Sequence, residues 1–226
     1  MRYELLVFDW DGTLMDSAAR IVASMQAAFT ELGLPPPTPG AARNVIGLGL
    51  AHAVAELAPA QDTATRSEIV TRYRAHYLEL DETPTPLFPG VAEVVPRLRE
   101  AGYLLAVATG KSRVGLDRAL AETRLDAHFH ATRSADETFS KPHPQMLLEL
   151  LDELGVHASR ALMIGDTEYD LLTAKNAGVD ALAVCYGAHA PERLLALAPR
   201  ACLSAIEALP GWLAAAAQHV SEDDTP

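Results

Sequence analysis

Apolar residues fall along the chain in two rhythms. Four runs are short and continuous: Leu5–Phe8, Leu104–Ala108, Ala161–Ile164 and Ala181–Val184. Such runs suit strands of a parallel sheet covered on both faces, where neither side needs polar residues. Between them the spacing becomes helical. Val91, Val94, Val95 and Leu98 share one face after Pro89-Gly90. Met146, Leu147, Leu150, Leu151 and Leu154 share another, with Gly155 placed to end it. A further helix is predicted over Glu168 to Ala177, stopped by Gly178. Strands alternating with helices predict an α/β fold with a doubly wound, Rossmann-like parallel sheet.

The first crossover breaks this rhythm. About ninety residues separate Asp9 from the next predicted strand, where roughly a dozen suffice to join parallel neighbours. Most of the excess reads as helix. Ile21, Met25, Ala28, Phe29 and Leu32 line one face, ended by Gly33. A Pro-rich turn, Pro35 to Gly40, precedes helical stretches from about Ala41 to Leu57 and from Ser67 to Leu80. Residues 16–84 are therefore expected to be a helical domain inserted into an α/β core of residues 1–15 and 85–213. Residues 214–226 are expected to be a C-terminal tail.

Charge narrows the partners. Lys+Arg number 18 against 30 Asp+Glu, a formal net charge of −12. A nucleic-acid surface needs clustered cations to replace counterions, and an anionic membrane attracts them, so neither is expected. No apolar run reaches the roughly 18 residues of a membrane span. Cys185 and Cys202 form no CxxC pair and show no zinc spacing, so no disulfide framework is expected and a reducing cytoplasm is the default compartment.

Candidate chemistry collects where the predicted strands end. Asp9-Trp10-Asp11-Gly12-Thr13 follows the first run directly. Alternation puts Asp9 and Asp11 on one side and Trp10 on the other. Carboxyl ends of strands are where open α/β sheets bind ligands. Gly12 permits a sharp turn that would present backbone N–H groups to an anion. Paired carboxylates repel unless a cation or shared proton relieves them, and Mg²⁺ suits oxygen ligands. The second run ends at Thr109-Gly110-Lys111, where a hydroxyl and a turn amide could hold a phosphate oxygen. Lys141, in Ser140-Lys141-Pro142, reads by itself as a solvated surface lysine. The third run ends Gly165-Asp166-Thr167-Glu168-Tyr169-Asp170. Asp170 alone could be a charge complementing a helix N-terminus, which leaves Asp166 unexplained. Together these sites supply acids, a hydroxyl and a cation, the set used in metal-assisted phosphoryl transfer.

This arrangement resembles the haloacid dehalogenase superfamily of phosphohydrolases, over about residues 4 to 190. The insert looks like the helical cap of its phosphoglycolate phosphatase-like members, and Leu14-Met15-Asp16-Ser17 resembles the usual exit into that cap. The resemblance implies a Mg²⁺-dependent phosphatase with an aspartyl-phosphate intermediate. Asp9 would be the nucleophile, and Asp11 the acid for the leaving alkoxide and then the base for water. Asp9 and Asp166 would bind the metal through their side chains and Asp11 through its carbonyl. Asp170 would hold a metal-bound water or the loop. The phosphate would be held by Thr109, the Gly110 amide and Lys141, with Asp11, Gly12 and Thr13 contributing. Arg43 and Gly47, in a stretch resembling the cap loop that faces the site, would set specificity, with Arg43 meeting a substrate carboxylate.

Subclasses separate by residue type. Carbon–halogen dehalogenases of the superfamily lack the second Asp, present here as Asp11. Phosphonatases use a cap lysine, and residues 16–84 contain none. Sugar-phosphate phosphomutases keep both acids and remain an alternative. Outside the class, a phospho-accepting receiver or binding protein shares the Asp, Thr and Lys set but carries no large helical insert. The expected partner is a small phosphorylated metabolite, handled by a monomer or homodimer. Four acids at one strand-end cluster would repel a phosphate dianion, so Mg²⁺ and Lys141 are expected to be required.

Overall fold

The computed structural model describes residues 2–223. Its strands are β1 (Leu5–Phe8), β2 (Leu104–Thr109), β3 (Ala131–Ser134), β4 (Ala161–Gly165), β5 (Asp180–Val184) and β6 (Cys202–Leu203). Its helices are α1 (Ala18–Glu31), α2 (Pro39–Asn44), α3 (Leu50–Leu57), α4 (Thr63–Ala75), α5 (Val91–Glu100), α6 (Arg113–Thr123), α7 (Gln145–Leu154), α8 (Glu168–Ala177), α9 (Pro191–Leu195) and α10 (Leu209–Asp223). A π-helical turn, His76–Leu80, extends α4. Every strand pairing is parallel, in the order β3-β2-β1-β4-β5-β6.

Alternation along the apolar strands feeds two separate cores. Leu6 and Phe8 of β1 join Leu105, Val107, Leu162 and Ile164 beneath α5, α6 and α10. Leu5 and Val7 point the other way, to Ala106, Met163 and the Met146–Leu151 stripe of α7. That is why the strands read as continuous apolar runs. Leu5, Leu6, Leu105 and Leu162 are fully buried, each stabilising the sheet by about 1.5–3 kcal/mol. Gly155 and Gly178 end α7 and α8 in the left-handed conformation, as their positions predict.

The inserted helices have a core of their own, with Met25 and Phe29 of α1 packed on Ala42, Val54 and Ile69. The 41–57 stretch breaks into α2 and α3 around Gly47, whose φ of +98° opens the intervening loop. α4 starts at Thr63 rather than Ser67, because the Asp62 carboxylate accepts from the Thr65 amide at 2.8 Å and caps the helix. The expected C-terminal tail is helical as far as Asp223, and residues 224–226 lie outside the described residues. Tyr3 stacks on Trp212 at 6.1 Å, tying α10 to the sheet.

The cysteines correct the sequence expectation. Cys185, one residue beyond β5, is disulfide-bonded to Cys202 of β6, with Cα atoms 6.0 Å apart. Parallel pairing of Val184 with Leu203 sets the two side by side. Their separation of 17 residues carries no spacing signature. Among the described residues no helix is long and apolar enough to cross a membrane.

Candidate active site

β1 lies between β2 and β4, where the strand order reverses, so its carboxyl end opens onto the crevice of the sheet. Asp9 and Asp11 both line a cavity there, while Trp10 is buried in the core on the other side. The chain turns immediately at Gly12, with φ +90°. A Cβ there would lie 2.2 Å from Asp166 Oδ2, so only glycine fits. The Gly12 amide donates to the Met15 carbonyl at 2.8 Å. It is engaged within the turn and is not presented to an anion, as the sequence suggested. Thr13 donates its hydroxyl to Asp166 Oδ1 at 2.8 Å. Gly12 and Thr13 thus abut Asp166 and do not line the cavity.

Asp166, at the tip of β4, also accepts from the Ala188 amide at 2.7 Å. Asp170 stands in the first turn of α8 and accepts from the Thr167 amide at 3.0 Å and the Thr167 hydroxyl at 2.7 Å. Its other oxygen meets Lys141 Nζ at 2.5 Å. Lys141, which reads alone as a surface residue, is 0% exposed and also lies 2.9 Å from Asp9 Oδ1. Burial alone would lower the lysine pKa; the Asp170 and Asp9 carboxylates outweigh it and hold the ammonium above its ordinary range. Burial pushes the Asp9 carboxyl up to about 7, with the Asp170 and Asp11 charges adding and Lys141 opposing. Burial, then the charges of Asp9 and Asp170, raises Asp166 well above the usual carboxylate range.

Asp9, Asp166 and Asp170 each bring a carboxylate oxygen to within 4.8 Å of the others. Three buried acids share one ammonium, so burial and mutual repulsion oppose their ionisation, and a divalent cation would relieve that repulsion. Lys141 Nζ is the partner of Asp9 Oδ1, and Asp9 Oδ2 accepts no hydrogen bond from any described residue. An all-oxygen set with an unsatisfied buried carboxylate fits a hard cation such as Mg²⁺. The Asp11 side chain is not part of this cluster. It takes Lys111 Nζ at 2.8 and 2.9 Å and the Ser17 hydroxyl at 2.6 Å.

Sequence reasoning passed over Lys111, although it directly follows Thr109-Gly110 at a strand end. Its Nζ also donates to the Tyr77 hydroxyl at 3.0 Å and sits 4.6 Å from that ring's centroid, linking core to inserted helices. Burial, the largest single effect, would depress it, but the charges of Asp11 and Tyr77 and the hydrogen bonds to both together outweigh it and hold the ammonium above its ordinary range.

The cavity has Asp9, Asp11, Thr109, Gly110 and Lys111 on its core side. Ile21, Met25, Ile46, Gly47, Tyr73 and Tyr77 are among the inserted residues opposite. Asp166, Asp170 and Lys141 stand outside its wall. The loop between α2 and α3 is pressed onto the core. A Cβ at Gly110 would meet the Leu48 carbonyl at 2.5 Å, and one at Gly47 the Thr167 hydroxyl at 2.8 Å. The Gly49 amide donates to Ser140 Oγ at 2.7 Å. Arg43 does not line the cavity. Its guanidinium donates to the carbonyls of Gly187 at 3.2 Å and Ala188 at 3.3 Å, bracing the loop whose Ala188 amide holds Asp166.

Comparison with known proteins gives the family. Residues 6–184 match the family model described as haloacid dehalogenase-like hydrolase. A Dickeya dadantii protein named probable phosphatase IndB is 37% identical, over 87% of this chain and 87% of its own. A phosphoglycolate phosphatase of Mesorhizobium japonicum is 33% identical over 92% and 94%. A haloacid dehalogenase-like family hydrolase from Streptococcus pneumoniae superposes with a TM-score of 0.82 at 24% identity, covering 94% of this chain and 99% of that one. The chain belongs to the haloacid dehalogenase-like hydrolase family.

Proposed function

We propose that this family member is a Mg²⁺-dependent phosphatase that hydrolyses a small phosphorylated metabolite through an aspartyl-phosphate on Asp9. The observation that carries the reading is the Asp9 carboxylate, 1% exposed, with Oδ2 unpaired among the described residues, set in the cavity wall beside Asp11. An Asp9 oxygen attacks phosphorus and the bond to the leaving alkoxide breaks. Asp11, entering the cycle in its protonated form and oriented by Ser17, gives that alkoxide its proton. Water then attacks the aspartyl-phosphate, Asp11 takes the water's proton, and inorganic phosphate leaves. The Thr109 hydroxyl, the Gly110 amide and Lys141 steady the phosphoryl group. Asp9 and Asp166 would hold Mg²⁺ with the Asp11 carbonyl, and Asp170 fixes Lys141 and the start of α8. When bound, the metal supplies positive charge against the phosphoryl oxygens.

In this reading residues 16–84 form the cap over a core of residues 1–15 and 85–213, with Gly47 carrying the cap loop against Thr167. Arg43 acts on the metal-side loop rather than on substrate. A cytoplasmic location goes with a metabolite substrate, and there the Cys185–Cys202 bridge has to resist reduction. The test is phosphate release from p-nitrophenyl phosphate. Activity with Mg²⁺ that disappears in Asp9→Asn and in EDTA is expected. Turnover that survives either treatment refutes the assignment.

A further inference from the structure

The phosphate end of the cavity is accounted for, but the leaving-group end is not. Its walls are apolar and aromatic: Ile21, Met25, Ile46, Leu50, Tyr73 and Tyr77. Two cations share the lining, Lys111 and Arg74. Lys111 is held by both oxygens of Asp11 and by Tyr77. Arg43, the expected reader of a substrate anion, is turned to the Gly187 and Ala188 carbonyls. Arg74 is the remaining one. It is exposed at the cavity edge and has no hydrogen bond or ion pair to any described residue. Arg72, two positions away on the same helix, is by contrast paired with Glu31 and Glu68.

Position on the helix explains the difference. Arg74, Tyr77 and Leu78 stand at i, i+3 and i+4, so they share a face, and all three line the cavity. Tyr73 stacks on Tyr77 at 5.7 Å and continues the wall. A guanidinium offers a planar fork of donors suited to carboxylate or phosphate oxygens. In a chain of net charge −12, a second anion on a substrate would be repelled from this cavity without such a partner.

We infer that Arg74 is the specificity-determining cation of the cap: it takes a second anionic group on the leaving group, while the aromatic and aliphatic wall takes the carbon frame between. The inference rests on the phosphatase reading for the identity of the first group. The substrate class is thus a phosphomonoester with a distal carboxylate or second phosphate.

Three ligands of similar size test it: phosphoglycolate, ethane-1,2-diyl bisphosphate, and the neutral-tailed 2-hydroxyethyl phosphate. Steady-state kinetics and isothermal titration are run with Mg²⁺ on the wild type, Arg74→Ala, Arg74→Lys and Arg43→Ala. The wild type should favour at least one anionic-tailed ligand over the neutral one by tenfold or more, and which one identifies the group as carboxylate or phosphate. Arg74→Ala should collapse that ratio at least tenfold, mostly through KM and Kd; Arg74→Lys should recover part of it, and Arg43→Ala should keep it within twofold. An unchanged ratio in Arg74→Ala, or no wild-type preference, overturns the inference. Intact binding selectivity without any phosphate release would instead remove the phosphatase reading and leave this one standing.

Discussion

Lys141→Met keeps the length of the side chain and removes its charge from a fully buried site. The wild-type ammonium lies 2.9 Å from Asp9 and 2.5 Å from Asp170. At an effective dielectric constant near 20 the longer contact alone amounts to about 6 kcal/mol before desolvation is counted. Removing one partner of a buried pair costs about 3–5 kcal/mol, because the other charge stays behind unpaired. Here the residual charge has an outlet. The Asp9 carboxyl, already at about 7, takes a proton at little cost near neutrality, so the lower figure applies. A loss of about 3 kcal/mol lowers the urea midpoint by roughly 1–1.5 M at ordinary m-values. The assay is urea unfolding at pH 7 in EDTA, repeated with Mg²⁺. The variant's three carboxylates face no cation, so it should bind the metal more tightly and recover more stability from it than the wild type does. A loss below about 1 kcal/mol, or one that Mg²⁺ leaves untouched, would refute the argument that Lys141 compensates the charge of this cluster.

Gly12→Ala places a Cβ 2.2 Å from Asp166 Oδ2 at a φ of +90°. Strain and overlap together should cost about 3 kcal/mol and abolish phosphate release, read by thermal unfolding and by turnover. Glu137 is held down at about 2 by its hydrogen bonds from Arg113, with Ser134 adding to the effect. A depressed carboxyl stabilises above its unfolded value near 4.5 and loses that contribution as pH falls through about 2. Its side chain is 40% exposed, so screening leaves about 1 kcal/mol of the nominal gain. Glu137→Gln should therefore be less stable than the wild type at pH 6 and equal to it near pH 2 in denaturant titrations. Tyr77→Phe removes the acceptor for Lys111 while keeping the ring within reach of both Arg20 and Lys111. Thermal unfolding should show a loss of about 1 kcal/mol, and no loss would mean that bond is energetically silent.

The buried strands were legible because both their faces meet apolar layers, so β1, β2, β4 and β5 carry unbroken apolar runs. β3 was not. It sits at the sheet edge with Thr132 and Arg133 in its middle, and Arg133 reaches Glu149 and Glu153 of α7, contacts that no local pattern announces. β6, at the other edge, has only two residues. The acids of the site were legible for a related reason, since a strand end fixes where Asp9, Asp11 and Asp166 emerge. Their partners were not, because partnership here is long-range. Lys111 is 100 residues from Asp11, and Lys141 is 29 from Asp170. The direction of Arg43 is set by where the α2 end lands on the Gly187–Ala188 loop, which sequence adjacency to Gly47 could not supply.

The acidity that argued against polyanions also shows how one carboxylate is kept available. Asp11 has Lys111 and Ser17, Asp166 has Thr13 and the Ala188 amide, and Asp170 has Lys141 and Thr167. Asp9 lies among them, 1% exposed, with Lys141 beside Oδ1 and no donor on Oδ2 among the described residues. A buried acceptor left unsatisfied costs about 1–3 kcal/mol, more when charged, so folding alone would select against it. Thr109 lines the same cavity, yet its hydroxyl accepts from the Lys111 amide and supplies Asp9 with nothing. The surrounding donors are bound by the other acids, which leaves Asp9 Oδ2 for the two uses proposed above, coordinating a cation and attacking an electrophile. A nucleophile wrapped in hydrogen bonds would have to break them before reacting. In the proposed reaction Asp9 would have Lys141 as its cationic neighbour, at a distance that can equally steady an incoming phosphoryl oxygen.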